Sequence, residues 1–414
     1  MSEDAAGLGR YSYPLASMRP DSETLRPFTD TVEDAAIVGL GEATHGTREF
    51  FELKGAVLRH LVADCGVRTV ALETDFATTL ALDEYIRTGN GSAVGALDNL
   101  VLWVWRVESI RATVEWLRTF NEGRPPGDRV RAVGVSLSDP SAPASRLRAL
   151  LREVAEIPVP GRLDALADDP VPDDAAARES FLDSGVAVAE SLRDRLDTYR
   201  PAVVDTRSSR EWTLARRLCR HLEQTCEWNR LRLATEGFDP EAFEQRDRHM
   251  AETVGWCRET DPGDGVAVWA HNTHVKRGSF DIPQDWAAGE TMGEVIAQDH
   301  GSAYRPYATD FTEGRYRAVA DGTDSETFAA SGPPTAVTAA TLEAVDAQAG
   351  FLDIESAAAD PRLDSWFERD RELRAVAALV DPDAGPSRRR TETDLAASFD
   401  GLFAVETTEP SVPL

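Results

Sequence analysis

The chain is 414 residues long, enough for two to three ordinary domains or for one large α/β unit with a helical insertion. It carries 72 acidic and 44 basic residues, a formal charge of −28, and Lys54 and Lys276 are its only lysines. That balance removes the counterion release that drives nucleic-acid binding and disfavours docking on anionic lipid, and the one basic run, Arg388–Arg390, is short and lies in a polar tail.

In chain order, residues 1–34 are set apart as an N-terminal segment. It opens on Met1-Ser2-Glu3-Asp4, without the basic and apolar regions of an export signal. Ala35–Leu40 is the first of four short apolar or β-branched runs bounded by turn or charged residues, the pattern of buried strands; the others are Val67–Leu72, Val130–Val135 and Val266–Ala270. After the first, Phe50, Leu53, Val57, Leu58 and Leu61 recur at helical spacing and predict a helix over about 48–63. A second helix, about 76–87, is closed by Gly89-Asn90-Gly91, and a third, about 109–121, precedes a turn at Gly123–Asp128. This alternation predicts the α/β class, with a central, mostly parallel sheet flanked by helices.

Residues 142–258 show almost no strand signal. Leu182, Val186, Ala189, Leu192 and Leu196 make one helical stripe, and Trp212, Ala215, Cys219, Leu222 and Cys226 make another. The stretch reads as a large helical insertion, with a linker loop at Asp168–Asp174, covering a cleft at the C-terminal edge of the strands. The α/β core then has a first half over 35–141 and a second over 259–320, where Tyr304–Phe311 and Tyr316–Ala320 predict two further strands. Residues 321–414 form a C-terminal segment whose last thirty or so, rich in Pro, Ser, Thr and Asp, predict a loosely ordered tail. No stretch of about 18 apolar residues occurs, so no membrane span is expected and the location is read as cytoplasmic. Cys65, Cys219, Cys226 and Cys257 are too few and scattered for a disulfide framework or a structural zinc, and are expected as plain thiols.

In open α/β sheets ligands bind beyond the carboxyl ends of the strands. The first strand runs into Gly39–Thr47 with Glu42 and His45, the second ends in Glu73 and Asp75, the third gives way to Ser136, Ser138 and Asp139, and the fourth to His271, Asn272 and His274. Three of the chain's seven histidines thus fall just after buried strands, beside two glutamates. Their convergence points to a catalytic centre, whereas His60, His221 and His300 are assigned no role and His249 is left undecided. Gly39, Gly41 and Gly46 are expected to permit positive φ and close approach of a ligand, and Thr47 to cap the next helix. His45 then sits near a helix N-terminus, whose dipole keeps the ring neutral as a general base requires, and the turn's free N–H groups are expected to hold an oxyanion.

GEATHGT at 41–47, ALETD at 71–75, WVWRVESI at 103–110 with VEWLRTFN following, QRDRHMAE at 245–252 and VWAHNTHV at 268–275 together resemble the erythromycin esterase family, with a weaker echo in DFTEG at 310–314. The resemblance implies an α/β core with a helical portion over a deep cleft, and, for some members, hydrolysis of a cyclic ester in macrolides. The family's essential histidine falls on His45, its acidic partner on Glu42, the second-strand glutamate on Glu73, and the paired histidines on His271 and His274. Where relatives usually read GFD, this chain has Gly134-Val135-Ser136 and loses a carboxylate at the cleft edge.

The resulting expectation is an ester or lactone hydrolase acting on a small molecule, with macrolide substrates and an antibiotic-resistance role as the family's precedent. His45 takes a proton from water, Glu73 or Glu42 orients it, and His271 and His274 polarise the carbonyl or protonate the leaving alkoxide. Arg48, Trp105 and Asn272 are candidate substrate contacts, with Trp103 and Trp269 as further cleft aromatics. No cofactor is required in this reading. The alternative uses His45, Glu73, His271 and His274 as ligands of Zn²⁺ or Mn²⁺. Gly134-Val135-Ser136-Leu137-Ser138 nearly reads as a serine nucleophile elbow but lacks its last glycine. A non-catalytic cleft binding a small molecule or haem is the remaining possibility. The acidic, lysine-poor composition also resembles that of halophilic proteins and predicts an acidic surface that folds better in salt.

Overall fold

The structure is a computed structural model. It describes residues 7–154, 157–235, 239–260, 263, 265–280, 289–320, 324–330, 332–376, 378–380 and 390–414. Met1–Asp4 and two members of the basic run, Arg388 and Arg389, lie outside the described residues.

The strands are β1 (Ser12–Pro14), β2 (Ile37–Leu40), β3 (Val67–Asp75), β4 (Arg131–Ser136), β5 (Gly265–Trp269), β6 (Ser279–Phe280), β7 (Gly289–Glu290), β8 (Tyr304–Ala318), β9 (Glu326–Ala329), β10 (Ala349–Asp353), β11 (Arg371–Arg374), β12 (Arg390–Thr393) and β13 (Gly401–Thr408). The main sheet has the order β1-β10-β13-β8-β2-β5-β3-β4, with β9 paired to β8. From β13 to β4 every neighbouring pair is parallel, and β1, β10 and β9 join antiparallel at the margins. This is the expected α/β sheet.

Side chains alternate along each strand between two apolar cores. Val266, Val268 and Ala270 face one, together with Ala71, Val133 and the helices of the insertion. Ala267 and Trp269 face the other, with Val70, Leu72 and the helix Arg48–Asp64. The insertion comprises helices Ser141–Arg152, Gly161–Asp168, Ala175–Thr198, Arg200–Thr206, Ser209–Arg232 and Pro240–Thr260. Leu182, Ala189, Leu192 and Leu196 meet Ala215, Cys219, Leu222 and Cys226 in the first core, so this helical layer is continuous with the sheet. All four cysteines are free thiols.

Two expectations need correction. The stretches at 304–311 and 316–320 fall largely on one continuous strand, β8, which ends at Ala318; it runs on through Thr312–Arg315 because Glu313 and Gly314 pair with Thr407 and Thr408 of β13 and Arg315 opens the pairing with β9. The tail is not loosely ordered over its described part: Leu402–Val405 is a buried apolar run and β13 occupies an interior position between β10 and β8. Arg390, the described member of the basic run, is buried in β12 and pairs with Glu372.

Candidate active site

Register explains how residues nearly 200 positions apart meet. β5 lies between β2 and β3, with Leu40 and Leu72 both level with Trp269. The chain beyond those three residues therefore emerges at one height, bringing Glu42 and His45, Glu73, and His271 and His274 to one edge. Gly41 and Gly46 serve close packing there without positive φ: a Cβ on Gly41 would stand 2.3 Å from Asn272 Oδ1, and one on Gly46 would stand 1.9 Å from Arg317 O. The expected ligand approach at these glycines is taken by protein atoms instead.

His45 Nδ1 lies 2.7 Å from Glu42 Oε1. A carboxylate only accepts, so Nδ1 carries the proton of the neutral ring and Nε2 holds a lone pair. The other Glu42 oxygen accepts from Lys54 Nζ at 2.8 Å and from Trp269 Nε1 at 2.9 Å. Lys54 also donates to Ala270 O at 3.2 Å, and its ammonium stands 4.7 Å from the centre of the Trp269 ring. Burial opposes ionisation of Glu42, but the charge of Lys54 and the bond to His45 outweigh it and hold the carboxyl below its usual range. Burial pushes Lys54 down to about 8 against the pull of Glu42.

Glu73 faces the other side. Its Oε1 accepts from Arg246 Nη2 at 2.9 Å and from His274 Nε2 at 3.1 Å, and its Oε2 accepts from the His271 backbone N–H at 2.9 Å. That same Oε2 is 3.9 Å from His45 Nε2. Burial again opposes the charge, and His274 above all holds Glu73 well below the usual range. His274 Nδ1 meets Asp247 Oδ2 at 2.9 Å, so each ring nitrogen donates to a carboxylate. Desolvation alone would lower its pKa, yet Asp247 and Glu73 raise it to about 9, an imidazolium at neutral pH.

His271 is the opposite case. Its Nδ1 accepts from the Thr273 backbone N–H at 3.2 Å, which puts the proton of the neutral ring on Nε2. Burial, with His45 beside it at 5.2 Å between ring centres, pushes it down to about 3. Nε2 has no partner among the described residues, nor has the Thr74 hydroxyl, and both residues line the cavity. The cavity measures about 980 Å³ and is walled by Leu102, Trp103, Trp228, Phe243 and Phe280 as well as by His45, Glu73 and His274.

Of the five expected catalytic side chains, His45, Glu73, His271 and His274 line the cavity and Glu42 lies buried behind His45, whereas the three expected substrate contacts do not behave as anticipated. Arg48 pairs with its neighbour Glu49 at 2.8 Å on the surface and reaches neither Glu42 nor the cavity, because its place in the helix turns it outward. Trp105 is buried against Trp269 and does not line the cavity; Trp103 does, with Arg317 over its ring. Trp269 is likewise buried and serves Glu42. Asn272 borders the cavity, but its amide is spent on the Thr309 backbone N–H and C=O, tying the turn after β5 to β8. Thr47 holds the N-cap position of the helix without a side-chain cap bond. The N–H groups of Gly41, Ala43, Gly46 and Arg48 already have protein partners, which removes most of the expected oxyanion donors of that turn.

Lys54, Arg246 and Asp247 are site residues that the motif reading passed over. Ser136 Oγ accepts from Arg246 Nε at 2.9 Å, filling the cleft edge where the usual carboxylate is missing and engaging the serine with an arginine in place of a histidine base. His221 is fully buried and binds Asp75 at 3.0 Å, joining the insertion to the end of β3. His249 lies by Gln224, and burial pushes it down to about 4. Among the described residues no three His, Cys, Asp or Glu side chains are disposed to share a metal ion. Of the metal candidates, His274 has both nitrogens bonded to carboxylates and Glu73 has both oxygens bonded to donors, so a divalent ion does not fit the set as arranged.

The family model described as Erythromycin esterase matches residues 62–408. The Bacillus subtilis (strain 168) protein YbfO, which carries a hydrolase name, is 24% identical over 368 residues, covering 83% of this chain and 80% of the relative. Erythromycin esterase type I of Escherichia coli is 23% identical over 307 residues, 69% of this chain and 72% of that protein. Among solved structures, a Bacillus cereus protein superposes with a TM-score of 0.79 at 23% identity, covering 100% of this chain and 98% of that one. A variant of the erythromycin esterase EreC in its open conformation superposes at 0.68 with 16% identity, over 97% and 98% of the two chains.

Proposed function

The chain belongs to the erythromycin esterase family, and on that premise we propose that it hydrolyses a carboxylic ester or lactone of a small molecule, with His45 as general base. The observation that carries this reading is the buried Glu42–His45 hydrogen bond, backed by Lys54, which leaves the Nε2 lone pair 3.9 Å from Glu73 Oε2. Two acceptors at that separation suit one water, which donates a hydrogen to each and turns its own lone pairs outward. As water attacks the carbonyl, His45 takes its proton and Glu42 stabilises the imidazolium. A base of this kind contributes about 10² to 10⁴-fold.

Negative charge then develops on the carbonyl oxygen. The free Nε2–H of neutral His271 and the Thr74 hydroxyl are the donors suited to it. Collapse of the tetrahedral intermediate breaks the bond to the alkoxide, which takes the proton from His45, giving an acid and an alcohol. His274 and Arg246 keep Glu73 ionised throughout. No metal or other cofactor has a part in this scheme.

Substrate identity does not pass between relatives with the fold, so macrolides are one class to test among several. Among the described residues no helix is long and apolar enough to cross a membrane. A panel of short acyl esters, γ- and δ-lactones and a macrolide, followed by titration of released acid, tests the proposal: turnover of at least one class is expected, and hydrolysis of none overturns it.

A further inference from the structure

The cavity reverses the charge balance of the chain. Overall the protein has 72 carboxylates against 44 cations, but the charged groups lining the cavity among the described residues are Arg106, Arg232, Arg246, Lys276, Arg374 and Arg390 against only Glu73 and Asp75. Both of those carboxylates are buried and bound to cationic or histidine partners, Glu73 to Arg246 and His274, Asp75 to His221. Arg374 directs its guanidinium to the backbone oxygens of Phe311 and Thr312, with Asp310 as its nearby countercharge.

Two of the cations are available to a ligand. Arg106, exposed just after the turn Trp103–Trp105, makes no side-chain hydrogen bond or ion pair with another described residue. Arg232, the last residue of the helix Ser209–Arg232, lies over the Trp228 ring at 5.0 Å and bonds only the neutral Asn229 amide at 2.8 Å. One comes from the α/β core and the other from the insertion. Asp139 acts on Arg232 from beyond ion-pair distance, and among the described residues neither guanidinium has a carboxylate within that distance, which in a protein with so many carboxylates makes this stretch of the cavity wall locally positive. The same cavity exposes apolar side chains: Val101, Leu102 and Leu379 line it and are 53%, 38% and 70% exposed.

We infer that the substrate is an amphipathic anion: an ester or lactone with an apolar body and a carboxylate or phosphate group held by Arg106 and Arg232. This rests on the hydrolase reading above and narrows its substrate class. Charge-assisted hydrogen bonds to such a group are worth at least about tenfold in kcat/KM relative to a neutral isostere.

The test compares p-nitrophenyl hexanoate with mono-p-nitrophenyl adipate, which share the scissile bond and differ by a terminal carboxylate, at one ionic strength. The anionic ester is expected to be preferred at least about tenfold in kcat/KM, with the ratio falling towards one in the Arg106→Gln/Arg232→Gln double variant. Adipate and monohexyl phosphate, each as an inhibitor of the neutral ester, separate carboxylate from phosphate; inhibition by either supports the inference. Hydrolysis of the neutral ester with a ratio at or below one, and inhibition by neither anion, overturns the inference while the hydrolase reading stands. Hydrolysis of neither ester by the wild-type protein, together with failure of the wider panel, overturns both.

Discussion

The two sides of the cavity edge use the same residue types to opposite ends. On the β2 side, buried Glu42 meets one histidine, His45, and is neutralised by Lys54 from within a helix. On the β3–β5 side, buried Glu73 also meets a histidine, His274, but that ring is shared with a second carboxylate, Asp247, while Arg246 supports Glu73. A carboxylate bonded to one nitrogen leaves the other turned to the cavity; a carboxylate bonded to each nitrogen holds an imidazolium. The role of each histidine is thus set by which of its ring nitrogens bond a carboxylate, and His271, which bonds none, is driven to about 3 by burial.

Removing the countercharge from the β2 side has the largest expected effect on stability. Lys54→Met leaves Glu42 buried with only His45 and Trp269, and is expected to cost about 3–5 kcal/mol, read by urea unfolding at pH 7. A cost below about 1 kcal/mol contradicts the ion pair as drawn.

The β3–β5 side makes a pH prediction. His274 has its folded pKa raised from 6.5 to about 9, so its contribution to stability is complete below pH 6.5 and is lost as pH rises towards 9. Lys54, lowered to about 8, acts in the opposite direction only above that pH. Between pH 6.5 and 8 the unfolding free energy is therefore expected to fall by up to about 2 kcal/mol, and the slope to flatten in His274→Gln. An equal slope in both proteins refutes the assignment.

Two smaller effects follow. The surplus of carboxylates predicts a thermal midpoint several degrees higher in 2 M than in 0.1 M KCl, as screening shortens the reach of repulsion from about 10 Å to about 3 Å; equal midpoints remove the halophilic reading. Dialysis against EDTA is expected to leave ester hydrolysis unchanged, because both nitrogens of His274 already donate to carboxylates and Glu73 is tied to Arg246 and His274; loss of activity restored by Zn²⁺ or Mn²⁺ reverses that expectation.

The same contrast explains what was legible in the sequence. β2 to β5 and the turns that follow them were readable because short apolar runs end abruptly in polar residues, and because Glu42, His45, Glu73, His271 and His274 fall immediately after those breaks. Lys54, Arg246 and Asp247 lie inside helices, where periodicity speaks about burial and a charged residue reads as surface. A signal existed: Lys54 sits on the stripe of Phe50, Leu53, Val57 and Leu61, and Asp247 on that of Met250, Ala251 and Val254, so each places a charge on an apolar face, which burial permits only when it is paired. β13 was missed because Gly401–Val405 is short and embedded in polar sequence, and only its pairing with β8 and β10 makes it a core strand. Arg48 and Trp105 were misplaced because proximity along the chain to a motif says nothing of which way a helix or turn faces.

The central claim is that His45, held by Glu42, is the base. The direct measurement is single-turnover hydrolysis of the best ester of the panel by the wild-type protein and by His45→Gln, beside their thermal unfolding. The account predicts a rate lower by about 10² to 10⁴-fold in the variant with the unfolding midpoint kept. A rate within about threefold of wild type in a folded variant contradicts it, since the loss of a general base is worth far more than that.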